Sequence, residues 1–223
     1  MVTVLPKAVF VHVPKNGGSA ISGVIGGVDK YWPRHVPWRC LEGEGLPGFG
    51  FIRNPWHRMV SLYYFLLRSP PRHRQRVNPV QMERQGFKRW LLDGETYMSN
   101  EPVDGDIWIR QNGAYLPVGP DNTYRGIERL PHPTLGLPPM QRRPSMWWLD
   151  GLPAAHIGKV ETLQDDMDRF AAAFWFPRRE IGRRNVTARK PLDWRAEYDT
   201  ETIDFVAQHH ALDITAGGYK FEQ

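Results

Sequence analysis

Apolar residues along this chain fall into short runs and helix-spaced stripes that follow one another. A run of β-branched and aromatic residues at Val9–Val13 predicts a buried strand, and apolar residues at helical spacing follow from Ala20 to Ile25. Two further strands are predicted, one beginning at Phe49 and one at His156–Val160. The helices expected after them cover residues 55–67, 80–92, 163–174 and 200–212. This alternation favours an α/β fold with a mainly parallel central sheet flanked by helices.

Local signals mark the starts of two of these helices. Asn54 is a good N-cap residue, and Pro55 suits the first helical position because the N–H that proline lacks has no partner there. Arg53 comes directly before this cap, at the carboxyl end of a predicted strand, where open α/β sheets bind ligands. Thr162 is expected to cap the helix at 163–174.

The turn after the first strand carries the most specific chemistry, with the sequence Pro14-Lys15-Asn16-Gly17-Gly18-Ser19-Ala20. Its glycines allow the backbone to approach an anion closely, the following helix N-terminus directs N–H groups at it, and Lys15 adds positive charge. Lys15 precedes the glycines, whereas the lysine of the nucleotide P-loop G-x-x-x-x-G-K-[ST] follows them. The turn therefore predicts a phosphate-bearing ligand other than ATP or GTP with magnesium.

Composition narrows the class of protein. A chain of 223 residues with 41% apolar residues can form one globular domain, and we expect a single domain over residues 1–223. One cysteine, Cys40, excludes an internal disulfide framework and a cysteine-built zinc site, and no metal is expected. We see no leader peptide and no apolar run of about 18 residues, which predicts a soluble, cytoplasmic protein away from the membrane.

Two features stand outside the regular pattern. The 29 Lys and Arg residues outnumber the 24 Asp and Glu residues, and the excess lies in clusters at 68–89 and 178–195, as in proteins that bind polyanions or phosphorylated ligands. Prolines recur between residues 115 and 153 and prevent any long helix or central strand there. A span of this length is typically a functional lid or a disordered insertion. Because long loops on α/β scaffolds commonly carry specificity, we expect this long proline-rich insertion, residues 115–153, to form the side of the site that selects the substrate.

Two strings together resemble a known family, the sulfotransferases that use 3′-phosphoadenosine 5′-phosphosulfate (PAPS). Residues 12–19 resemble the family's H-[IV]-P-K-[TA]-[GA]-[GS]-[TS] loop, and residues 53–64 resemble its R-[DN]-P-x-x-R-x-[VL]-S-x-Y segment. The glycan sulfotransferases of the uronosyl 2-O type are the most similar group. Weaker similarity covers residues 157–163 and 213–221, and none is seen for about 100–153. Asn16-Gly17 replaces the commoner Thr-Ala or Thr-Gly pair, and Ala20 replaces a frequent serine or threonine.

The resemblance implies a P-loop-kinase-like sulfotransferase fold and roles for individual residues. Lys15 would act at the leaving phosphate, in a loop that holds the 5′-phosphosulfate and comprises Pro14, Lys15, Asn16, Gly17, Gly18, Ser19 and Ala20. Arg53 and Ser61 would bind the 3′-phosphate, and Arg58 would support either the ligand or the fold. Thr187 and Lys190, with a T-x-x-K spacing, are similar to a C-terminal clamp on PAPS.

The general base is expected at His35, which lies between the two motifs, as the catalytic histidine of the uronosyl relatives does. An ordinary histidine pKa near 6.5 suits proton abstraction at neutral pH. His12, Glu42 and Glu44 remain alternatives, although His12 more readily closes the strand.

Sulfuryl transfer from PAPS to a hydroxyl, most simply on a carbohydrate, is the function expected. The acceptor would be a glycan or another hydroxyl-bearing small molecule, with Trp147 and Trp148 as contacts, and neither nucleic acid nor a membrane as partner. Two alternatives stay open. A nucleotide kinase or NTPase would bind ATP with magnesium, and a basic nucleic-acid-binding module would bind any polynucleotide in a salt-sensitive way. The identity of the acceptor and the oligomeric state are not readable from the sequence.

Overall fold

The computed structural model describes residues 2–29, 31–32, 35–41, 45–68, 79–94, 96, 108–111, 114–117, 138–182 and 193–222. The chain divides into two compact units. The first unit is built from residues 1–52, 100–137 and 145–184, and the second from residues 53–99, 138–144 and 185–223. The expectation of one domain over the whole chain stays a prediction.

A five-stranded mixed sheet forms the centre of the first unit. Its strands are β1 (Thr3–Val4), β2 (Val9–Val11), β3 (Val28–Asp29), β5 (Gly48–Ile52) and β8 (Ile157–Lys159), in the order β3-β1-β2-β5-β8. β5 pairs in parallel with both β2 and β8, while β1 pairs antiparallel with β2 and β3. The predicted α/β class is confirmed, but the sheet is mixed rather than mainly parallel, because β1 and β3 add antiparallel pairs at one side. β4 (Tyr31–Trp32), β6 (Trp108–Gln111) and β7 (Ala114–Pro117) form a second, antiparallel sheet.

Helices cover one face of the five-stranded sheet with an aromatic core. α1 (Gly18–Ile25) follows β2, and α5 (Leu163–Phe174) follows β8 after a 3₁₀ turn. Phe49 and Phe51 of β5 point to this face, and both pack on Phe170 of α5 with ring centroids 5.0 and 5.5 Å apart. Phe10 of β2 completes the cluster and lies 5.4 Å from Phe49. Because the three strands are parallel, this core aligns their carboxyl ends at one edge of the sheet.

The other face of β5 is made of glycines, because side chains of the same unit lie directly on the backbone there. A Cβ at Gly48 would lie 2.4 Å from the Trp38 ring, and one at Gly50 would lie 2.4 Å from the Leu149 side chain. Leu149 ends the short helix α4 (Met146–Leu149), which falls within the proline-rich insertion. The pattern Gly-Phe-Gly-Phe in β5 therefore reflects helices on one face and close backbone contact on the other.

The second unit is helical in its described residues. It contains α2 (Pro55–Leu67), α3 (Pro79–Asp93), α6 (Thr200–His209) and α7 (Ala211–Gly217). Asn54 caps α2 as predicted, since its side chain accepts a hydrogen bond from the His57 N–H at 3.1 Å, and Pro55 is the first helical residue. The helix expected at 200–212 instead breaks at His210 and resumes as α7.

The bounds of α5 match the prediction, but its cap does not. Thr162 occupies the N-cap position without a side-chain capping bond. Its hydroxyl donates instead to Asp166 Oδ2 at 2.7 Å, and that carboxylate also accepts the backbone N–H of Lys159. These bonds, with the Arg169 guanidinium, hold the pKa of Asp166 below its ordinary value even though burial opposes the shift.

Candidate functional site: an anion-binding loop and an arginine-led helix

Lys15 has an unusual backbone conformation in the loop between β2 and α1. Its φ is 68°, in the left-handed region, and Gly17 lies in the same region at φ 75° and ψ 1°. Glycine adopts this conformation readily, whereas a residue with a side chain is strained by about 1–2 kcal/mol. Such strain persists where the surrounding structure fixes it, and it concentrates at functional sites.

The start of α1 is arranged to receive negative charge. The N-cap residue is Gly17, which has no side chain to cap the helix, and the first turn contains no acidic residue. Its carbonyl accepts the N–H groups of Ala20 and Ile21 at 2.9 and 3.2 Å. The first N–H groups of a helix have no partner inside the helix, so the Gly-Gly-Ser start presents them to an anion.

His12 packs against this loop as a structural residue. It is buried, and a Cβ added at Gly18 would lie 1.9 Å from the ring carbon Cδ2. Gly18 is therefore required for close approach of the imidazole to the backbone of α1. This arrangement favours the interpretation of His12 as a residue that closes the strand.

His35 lies beside the first residue of the loop. Its Nδ1 is 2.8 Å from the His12 carbonyl oxygen, and the two imidazole centroids are 4.7 Å apart in an edge contact. A carbonyl oxygen only accepts, so Nδ1 carries the hydrogen, and in the neutral ring Nε2 then carries the lone pair. His35 is 4% exposed. The alternative bases Glu42 and Glu44 lie outside the described residues.

Arg53 is held by a residue that the sequence did not single out. Its Nη2 lies 2.8 Å from Nε2 and 3.2 Å from Nδ1 of His57, one turn into α2. The His57 ring stacks on Trp194, with centroids 5.6 Å apart and planes 11° apart. The available signal for His57 was its position in the first turn of the predicted helix, four residues after Arg53. Trp194, far away in sequence, gave no such signal.

Hydrogen bonds along α2 keep Trp194 in place. The Tyr64 hydroxyl donates to Glu197 Oε1 at 2.6 Å, and the Tyr198 hydroxyl donates to the Trp56 carbonyl at 2.7 Å. Burial is the first cause that raises the pKa of both tyrosines, and the neighbouring Glu197 adds to it. Both phenols are therefore protonated donors over the ordinary pH range.

Ser61 and Arg58 lie further along α2, and both are buried. Arg58 has no exposed surface and donates to the Arg143 carbonyl at 2.8 Å. Of the two roles open for Arg58, the structure favours the support of the fold. Ser61 is at the margin of burial, with 9% of its surface exposed.

The two tryptophans of the insertion differ in exposure. Trp148 is fully buried, whereas Trp147 is partly exposed. The Arg39 guanidinium lies 4.4 Å above the Trp147 ring and also donates to the Trp147 carbonyl at 3.3 Å. Thr187 and Lys190, the predicted clamp residues, lie outside the described residues.

Among the described residues there is no group of three or more His, Cys, Asp or Glu side chains suited to a metal ion, and no helix long and apolar enough to cross a membrane. No protein-family model, no curated protein and no solved structure matches this chain. The chemistry of the loop and of α2 is therefore what indicates a function.

Proposed function

We propose that this protein is a PAPS-dependent sulfotransferase with a P-loop-kinase-like sulfotransferase fold. The observation that carries the proposal is the strained Lys15 in a glycine loop that joins a buried parallel strand to an uncapped helix. That combination of backbone N–H groups and an ammonium group suits a phosphosulfate. The order of lysine before glycines separates it from loops that bind ATP with magnesium.

The residues of the loop, together with His35, can supply each part of sulfuryl transfer. The acceptor oxygen attacks sulfur and forms a new S–O bond, while the bond from sulfur to the 5′-phosphate oxygen breaks. His35 Nε2 takes the acceptor proton, which the Nδ1–H tautomer permits. Lys15 stabilises the charge that develops on the leaving phosphate. The products are the sulfated acceptor and adenosine 3′,5′-bisphosphate.

Recognition of the 3′-phosphate falls to the start of α2 in this proposal. The Arg53 guanidinium makes charge-assisted bonds to a phosphate, and the Ser61 hydroxyl adds a donor. The contact of Arg53 with His57 supports this role, because a guanidinium held in one position loses less conformational entropy when it binds. Thr187 and Lys190 are proposed as further nucleotide contacts from the resemblance alone.

The acceptor is proposed to be a carbohydrate hydroxyl, with Trp147 as its aromatic contact. Trp147 is partly exposed and has Arg39 over its ring, so it can contribute a ring edge and a nearby cation. Trp148, being fully buried, would serve by packing behind Trp147, 5.0 Å away in an edge contact.

Calorimetry with adenosine 3′,5′-bisphosphate tests the nucleotide assignment. We expect metal-independent binding that is far tighter than binding of ATP with magnesium. Arg53→Ala should weaken binding of the bisphosphate by tenfold or more and leave that of adenosine 5′-monophosphate nearly unchanged. Arg89→Ala, which removes an equally charged but exposed side chain from α3, is the matched control. Equal or tighter binding of ATP with magnesium would instead support the kinase alternative.

Transfer of labelled sulfate from PAPS to a panel of glycans and small phenols tests the reaction itself. A labelled product that disappears in the Lys15→Ala variant is the expected result. Binding of polynucleotides that is salt-sensitive and independent of Lys15, without transfer, would support the nucleic-acid alternative.

A further inference from the structure

We propose that Asn16 is a positioning residue that fixes the phosphosulfate loop on β5 and couples it to α4, the helix that carries Trp147. This inference rests on the proposed function, because it names the device that shapes the donor loop. Asn16 follows Lys15 directly and is buried, with 2% of its surface exposed. The hydrogen bonds of its amide nitrogen go to the protein.

Both hydrogens of the Asn16 amide nitrogen are used. Nδ2 donates to the Phe51 carbonyl at 2.7 Å and to Ser145 Oγ at 3.0 Å. The Phe51 carbonyl accepts only, which fixes which end of the amide faces it. The loop is therefore joined by one side chain to the end of β5 and to the residue that precedes α4.

Asparagine is the residue that this geometry needs. Threonine could not replace it, because a hydroxyl has a single hydrogen and cannot donate to two acceptors. Asn16 Oδ1 is buried and has no hydrogen-bond partner among the described residues. The cost of this unsatisfied buried acceptor offsets part of the stability that the two bonds of the nitrogen add. The small net gain favours a positioning role for Asn16 over a stabilising one.

The bond to Ser145 links the donor loop to the acceptor side. Ser145 is fully buried, its carbonyl accepts the Trp148 N–H at 3.0 Å, and α4 then places Leu149 on Gly50 of β5. A shift of α4 would thus move the Asn16 amide, which is next to Lys15. We expect occupation of the nucleotide site and contacts at Trp147 to influence each other through this bond.

Hydrogen exchange in the absence of any ligand directly tests the two hydrogen bonds of the Asn16 amide. Asn16→Ala should speed exchange of the amides at residues 14–19 by about tenfold, as expected when two hydrogen bonds are lost, with little change in α5. Ser145→Ala should have a smaller effect in the same segment, and Ser145→Thr, which keeps the hydroxyl, should restore protection. Ser22→Ala is the matched control, because the Ser22 hydroxyl has no hydrogen-bond partner in the described part of the chain. Unchanged exchange in Asn16→Ala would overturn the proposal.

Binding and turnover then separate this inference from the proposed function. Asn16→Ala should weaken adenosine 3′,5′-bisphosphate about tenfold, and Asn16→Asp should weaken it further because it adds negative charge to the loop. In a double-mutant cycle, Asn16→Ala with Ser145→Ala should be less than additive. Ser145→Ala should also raise the acceptor KM. Substitution of a residue that only supports the fold would lower the melting temperature and leave the acceptor KM unchanged. If Asn16→Ala loses protection of the loop but the wild type binds no bisphosphate, the proposed function is wrong and the role of the Asn16 hydrogen bonds stands. Normal binding by both Asn16 variants would defeat the positioning role.

Discussion

Lys15 combines a strained backbone with the side chain proposed to act at the leaving phosphate, and substitutions can separate the two. Lys15→Ala keeps the left-handed strain but removes the ammonium group, so we expect kcat to fall about 10²-fold while binding of the desulfated product changes little. In Lys15→Gly, kcat should fall by the same factor. Its free energy of unfolding should nevertheless exceed that of Lys15→Ala by about 1 kcal/mol, because glycine relieves the strain. Steady-state kinetics and urea unfolding of the two variants check both parts. Normal turnover in either variant would remove Lys15 from the mechanism.

His210 makes the second unit sensitive to acid. It is fully buried at the break between α6 and α7, where Nε2 donates to the Gln141 carbonyl at 2.9 Å. Burial first, and then the positive charge of Arg58, lower the pKa of His210 to about 3. Between that value and the ordinary pKa near 6.5, the unfolded chain binds a proton that the folded chain does not. The free energy of unfolding should therefore fall as the pH drops below about 6.5.

The variant His210→Gln isolates this contribution. Gln keeps a donor for the Gln141 carbonyl and does not titrate. From about pH 6 to about pH 5, the free energy of unfolding of the wild type should fall by about 1.4 kcal/mol per pH unit more than that of the variant, as measured by urea unfolding. His209, whose pKa burial and Arg142 also lower, is present in both proteins and cancels. Equal slopes would mean that Asp213, with Oδ2 4.0 Å from Nδ1, keeps His210 protonated in the folded chain.

Sequence reasoning at the residue scale worked where the signal was local. Lys15 and Arg53 stand at strand-to-helix junctions, and those positions follow from hydrophobic pattern and turn residues. The hydrogen bonds of His35 and Asn16 join residues that are 23 to 129 positions apart, and no periodicity encodes such pairs. The burial of Trp148 was missed for the same reason, because it depends on where α4 lies on the sheet.

At the scale of elements, β5 depends on its glycines for packing rather than for flexibility. Gly48→Ala should lower the free energy of unfolding by about 1–3 kcal/mol, because the rigid Trp38 ring, 2.4 Å from the added Cβ, must shift. Gly182→Ala is the matched control in the same unit, since no atom of the described residues lies within 4 Å of its Cβ position, and it should change stability by less than about 1 kcal/mol. Thermal or urea unfolding measures both. Equal stability of the two variants would show that Trp38 does not pack on β5.

Helix ends show how far local signals reach. Asn54 and Pro55 begin α2 as expected, because N-cap and first-turn preferences act over a few residues. No glycine or proline lies at the break at His210, so the sequence does not predict it. It accompanies a bond from the His210 ring to the Gln141 carbonyl, 69 positions away. Likewise β1 and β3 are two residues long, which is too short for a period-2 pattern, so the mixed character of the sheet was not predictable.

At the scale of the whole molecule, charge separates a nucleotide site from a general affinity for polyanions. The formal net charge is +5, and a basic surface attracts any polyanion through counterion release. Some of the basic residues are paired with acidic residues at the surface. Lys88 pairs with Asp199 and Glu201 at 2.7 and 2.6 Å, and Arg178 pairs with Asp168. Such pairs reduce the charge available to a polynucleotide, and the proposed function needs only the cations of the loop and of α2.

Ligand-dependent stability of the intact chain is the last prediction. A ligand that binds only the folded protein stabilises it by about 2.7 kcal/mol at a hundred times its Kd. Adenosine 3′,5′-bisphosphate should therefore raise the melting temperature without metal, and ATP with magnesium should not. The rise should shrink in Arg53→Ala but persist in Arg89→Ala, although both variants lose one positive charge. Added salt should weaken this stabilisation less than it weakens binding of single-stranded nucleic acid, because the nucleotide engages few cations. A rise of equal size with any polyanion, lost equally in both arginine variants, would identify charge alone as the cause.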